Sequence, residues 1–95
     1  LIRLHQEDLN GAVESLRQAI FRAPAYAMAH YTLGEVYEKR GEYRMAARYW
    51  EKARDAIAHL LPAQSLPYEQ ELTVEMLRGL ITHRLNVLAQ RGLIG

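Results

Sequence analysis

The sequence predicts an all-α fold, a stack of antiparallel helix pairs, and three observations carry that expectation. Apolar residues recur at i, i+3, i+4 and i+7 through most of the chain, the spacing of one buried helical face. Helix-ending residues, Pro24, Gly41, Pro62 and Gly92, cut this pattern into pieces of helical length. The pattern also repeats: shifted by 34 residues, Ala46 falls on Ala12, Trp50 on Leu16 and Ala53 on Ala19. Strand signals are absent throughout.

Residues 1–6 (LIRLHQ) read as the end of a helix that begins upstream, without an initiating Met. The chain therefore reads as an excised piece of a larger protein. A helix over 9–22 follows, with Leu9, Ala12, Val13, Leu16, Ala19 and Ile20 on one face and Asp8 as its N-cap. Pro24 cannot continue it. The next helix spans about 25–40, with His30, Leu33, Gly34 and Tyr37 sharing a face. Lys39 and Arg40 followed by Gly41 form a C-terminal signature, because glycine takes the left-handed conformation at little cost. A helix from about Glu42 then buries Tyr43, Ala46, Ala47, Trp50, Ala53 and Ile57 and extends to Leu61, where Pro62 stops it. Arg44, Arg48, Glu51, Lys52 and Asp55 on its other side read as a solvated charged face. Residues 62–73 read as a loop. Thr73 is the expected N-cap of the last helix, residues 74–92 with its closing glycine, whose stripe is Leu77, Leu80, Ile81, Leu85 and Leu88.

Composition excludes several classes of function. The chain has 95 residues, enough for one small domain with a modest core. Its 12 basic and 11 acidic residues give no electrostatic case for nucleic acid or for an anionic membrane. No apolar run approaches the length of a transmembrane helix. With no cysteine, disulfides, thiolate metal sites and cysteine nucleophiles are excluded, which suits a cytoplasmic protein. His5, His30, His59 and His83 are not spaced as ligands on one helix, so no metal is expected. There is no phosphate loop, nucleophile elbow or paired acid/base site, so neither catalysis nor a cofactor is expected.

The 34-residue period and its residues resemble the tetratricopeptide repeat. His30 stands at that pattern's first large position, Leu33-Gly34 at its Leu-Gly, Tyr37 at its Tyr and Gly41 in the inter-helix turn. Ala46, Trp50 and Ala53 complete the second helix. The upstream partial unit has Ala12, Leu16, Ala19 and Pro24 at the matching positions. His30 in place of an aromatic residue and Ala58 in place of the closing proline depart from the pattern. The resemblance covers residues 1–60 and implies a right-handed stack: a partial repeat over 1–24, a complete one over 25–61, the 62–73 loop, then a capping helix over 74–92. The last helix has a second reading, the first helix of a displaced further repeat, because VLAQRG at 87–92 is similar to VYEKRG at 36–41. Arg84 and Leu85 at its Leu-Gly positions match poorly, which favours the cap.

The resemblance also implies a function. In this family the concave face lines a peptide-binding groove, here assigned to Met28, Tyr31, Glu35, Glu38 and Lys39, with Leu4 and His5 as the upstream counterparts. Tyr31 would be its aromatic anchor and the charged residues its selectors. The carboxylate clamp of the chaperone-binding members is absent, with Glu35 in place of an Asn and Tyr31 in place of a Lys. The expected function is therefore a non-catalytic protein–protein interaction module. Homo-oligomerisation is an alternative. A finer resemblance, AxAHYxLGxxYxxRGxxxxAxRxWxxA followed by a Leu-Pro loop, is to the helical tails of bacterial chemotaxis-receptor methyltransferases. That resemblance implies an accessory domain of a signalling enzyme.

Overall fold

The computed structural model describes residues 6–66 and 69–94. Among them α1 spans Gln6–Arg22, α2 Ala27–Lys39, α3 Tyr43–Ile57 and α4 Val74–Gln90, with strands β1 (Ser65–Leu66) and β2 (Glu69–Thr73) between α3 and α4. The class is all-α, as expected. The most extensive packing is α2 on α3; α1 packs on α2, and α4 on α3. Leu4 and His5 lie outside the described residues.

Helix α1 runs unbroken through Asp8, so Asp8 is not the N-cap. No glycine or proline in residues 6–8 interrupts the helix, and acidic residues are favoured near a helix N-terminus without capping it. Leu9 and Val13 are buried, whereas Ala12, Leu16, Ala19 and Ile20 are half-buried. The α1–α2 turn is closed by bonds from the Ala23 amide to the Ala19 carbonyl and from the Tyr26 amide to the Ala23 carbonyl, around Pro24.

Helix α2 ends as the Lys-Arg-Gly signature predicts. Gly41 has φ +78°, and the amides of Gly41 and Glu42 donate to the carbonyls of Glu38 and Tyr37. These bonds satisfy carbonyls that the helix end leaves free. Helix α3 buries Ala46, Ala47, Trp50, Ala53 and Ile57, while Tyr43, expected on the same face, is half-buried at the start of the helix. It stops at Ile57, four residues short of Leu61. The Ile57 carbonyl instead accepts from the Leu60 amide and from Arg78 Nη2.

Segment 62–73 is not the loop expected but contains a short antiparallel ribbon. Ser65 pairs with Thr73 and Leu66 with Glu69, with an irregularity between the two pairs. Leu66 supplies the reason the segment orders, being 3% exposed and part of the core. The carbonyls of Gln64 and Pro62 accept from the first two amides of α4, those of Val74 and Glu75. Thr73 caps α4 as expected, its Oγ1 accepting from the Met76 amide at 3.2 Å. Val74, Leu77, Ile81 and Leu88 are buried. Leu85 is half-buried, and Leu80 is exposed although it was placed in the same stripe. Gly92 repeats the Gly41 ending, with φ +72° and its own amide and that of Leu93 donating to Ala89 and Leu88.

Candidate partner-docking face

The α2–α3 pair is fixed by a close crossing. A Cβ built on Gly34 would lie inside the Trp50 indole. Trp50 is fully buried, and its Nε1–H donates to the Tyr31 carbonyl at 3.1 Å. Leu33, Ala46 and Ala53 are also fully buried. Small residues let the backbones approach, and the large ones fill what remains.

His30, at the first large position of α2, is buried. Its Nε2–H donates to the Pro24 carbonyl at 3.2 Å, and its ring stacks on Tyr49. Nδ1 is buried without a hydrogen-bond partner. Burial, aided by the charge of Lys52, pushes the His30 pKa down from its ordinary 6.5, against the pull of the Pro24 carbonyl. This is the environment of a neutral packing residue.

The other side of α2 carries the residues assigned to the concave face. Their arrangement depends on one residue that the sequence reading passed over as a poor match, Arg84 of α4. Its Nη2 donates to Glu35 at 2.9 Å, its Nη1 to Glu38 at 3.0 Å and its Nε to the Tyr31 hydroxyl at 3.2 Å. The guanidinium carbon lies 5.9 Å from the Tyr31 ring centre and 5.8 Å from that of Trp50. Burial opposes the charge on Arg84. The hydroxyl of Tyr31 and the carboxylates of Glu35 and Glu38 outweigh that, and the guanidinium pKa is raised.

Tyr31 is therefore not an open aromatic anchor. It is 5% exposed, lying against Trp50 and Arg84. Glu35 and Glu38 are brought together, each already paired to Arg84. Met28 is half-buried at the edge of the core. Lys39 is exposed and makes no ion pair among the described residues. Sequence spacing marks Arg84 only as a cation at a leucine position of the repeat pattern and says nothing of its partners on α2, 46 to 53 residues away. Helical spacing also puts Leu80, Arg84 and Val87 on one stripe of α4, the stripe that Arg84 turns toward α2. Leu80 is 43% exposed, and Met76, one turn before it, is 51% exposed. Against α2 the Glu35–Arg84–Glu38 group is left one negative charge in excess, beside the exposed Lys39.

A shallow groove runs along the outer side of α3, lined by Arg44, Ala47, Arg48, Glu51, Lys52, Asp55 and Ile94. Its lining mixes charges of both signs, Arg44, Arg48 and Lys52 with Glu51 and Asp55, as on a solvated helix face. Among the described residues, no group of three or more His, Asp or Glu side chains is placed to hold a metal ion. No helix among them is long and apolar enough to cross a membrane.

Paired helices joined by a glycine turn and packed through small residues define a helical-repeat protein. Residues 27–56 match the family model of the tetratricopeptide repeat, so this segment is similar to one such repeat. The matched segment is α2, its turn and nearly all of α3. No curated protein and no solved structure matches the chain. The resemblance to methyltransferase tails gains no support from these comparisons.

Proposed function

We propose that this chain is a non-catalytic protein–protein interaction module that docks a peptide or helix of a partner on the face shared by α2 and α4. The observation that carries the reading is Arg84 of α4 reaching Glu35 and Glu38 of α2, with Leu80 exposed one turn before Arg84 on its own helix. Apolar side chains clustered in water and rimmed by polar groups suit a contact surface, and methionine adapts to irregular partners. Tyr31, buried beneath Arg84, supports that face from below in this arrangement. In this reading α4 is a cap that also supplies half of the surface.

The test is a partner pulldown with Lys39→Glu and Leu80→Glu, beside Arg17→Glu on the exposed side of α1 as a control. Loss of the partner with the first two variants, at unchanged melting temperature, supports the docking face. Full retention with both removes it.

A further inference from the structure

Two helices line the proposed docking face, and they are joined unequally. Helix α4 is held to α3 by buried Val74, Leu77, Ile81 and Leu88. The backbones of α4 and α2 approach each other less closely than those of α4 and α3. Among the described residues, the hydrogen bonds and ion pairs between α4 and α2 are all made by Arg84. The participating side chains remain reachable by water: Arg84 and Glu35 are 34% exposed and Glu38 is 29% exposed.

We propose that Arg84 is an ionic latch between α4 and α2, holding α4 over Tyr31 and releasing it when the Glu35 and Glu38 charges are screened or engaged by another cation. Three features make a latch the better description than a permanent strut. The contacts are electrostatic and partly solvated, so salt weakens them. They come from a single side chain, so they are lost together. The apolar seam on α3 stays intact when they break, so the helix can swing without leaving the core. In the closed state the guanidinium uses one N–H on each nitrogen and covers the faces of Tyr31 and Trp50. Opening would uncover Tyr31, the aromatic side chain that the closed structure withholds from the docking face.

The latch does not depend on the docking reading, because it is measured with no partner present. The experiment follows hydrogen exchange in the Arg84 turn of α4, with the fluorescence of Trp50, the chain's single tryptophan, as a second readout. Sodium chloride is raised from about 20 mM to about 1 M, which shortens the Debye length from roughly 20 Å to roughly 3 Å. In the wild type, exchange in that turn should rise about fivefold, the effect of losing two partly exposed ion pairs. Helicity should not change. Arg84→Met, which keeps most of the apolar stem, should exchange at the high-salt wild-type rate at every salt concentration. Glu35→Gln with Glu38→Gln should behave the same way and serves if Arg84→Met does not fold. A wild type insensitive to salt overturns the latch. So does either variant that keeps the wild-type salt response.

Discussion

Gly34 and Trp50 occupy one place in the α2–α3 crossing: the indole of one lies where the other's side chain would begin. Trp50 is held there by full burial and by its bond to the Tyr31 carbonyl, so it has nowhere to retreat. Gly34→Ala should therefore destabilise by about 1–3 kcal/mol, the usual cost of overpacking, despite alanine's better helix propensity. Ala46→Leu should cost a similar amount. Leu33→Ala, which removes a fully buried side chain, should cost about 2–5 kcal/mol. Chemical denaturation of each variant checks the three values. A Gly34→Ala protein as stable as the wild type would disprove the close crossing.

The helix-ending glycines differ in mechanism from Gly34. Nothing lies within 4 Å of a Cβ at Gly41 or Gly92, but both have positive φ. Alanine at either position should cost about 1 kcal/mol through backbone strain alone. Asn, which tolerates that conformation, should recover part of the loss. Melting curves for the Ala and Asn variants distinguish strain from crowding, because crowding would make Asn the worse of the two.

Stability should fall on mild acidification because of His30. Its folded pKa lies below its unfolded value of 6.5. Above that value both states are neutral, and the residue gives no pH dependence. Below it the unfolded chain takes up the proton first, so stability falls until the folded pKa is reached and then levels. The proton has no acceptor at Nδ1, which is buried and unpaired. Urea midpoints followed downward from pH 7 should show this slope in the wild type and lose it in His30→Phe.

Thr73→Ala should destabilise α4 by about 1 kcal/mol, the common value of an N-cap, by freeing the Met76 amide. Thr73→Asp should recover it, because the carboxylate accepts the same bond. The loss should appear in thermal melts and as faster hydrogen exchange at Met76.

The repeat was legible in the sequence because each of its positions is a size constraint at a fixed interval. Leu33, Gly34, Tyr37, Ala46, Trp50 and Ala53 cannot be exchanged for residues of other volume without disturbing one crossing. The glycine endings and the Thr73 cap were legible for a similar reason, since each is a local backbone demand on one residue. The ribbon before α4 was not legible. Its two strands are short, prolines flank β1 in the sequence, and the ribbon is tied to the core through Leu66 and the half-buried Leu72. The concave face was half legible. Helical spacing gathers Tyr31, Glu35 and Glu38 on one side of α2, but only the tertiary packing of α4 brings Arg84 over them. A cation at a position where the repeat pattern asks for leucine was the one local sign. Its meaning depends on two acidic partners almost fifty residues earlier.

The placement of α4 against α2 supports both the docking face and the latch, and nuclear Overhauser contacts test it most directly. At low salt, the Hδ and Hε protons of Arg84 should show contacts to the ring protons of Tyr31 and Trp50, consistent with guanidinium-to-ring distances of 5.9 and 5.8 Å. Their absence, in a protein whose Trp50 indole proton still shows contacts to Gly34, would leave the repeat standing and contradict the placement of α4.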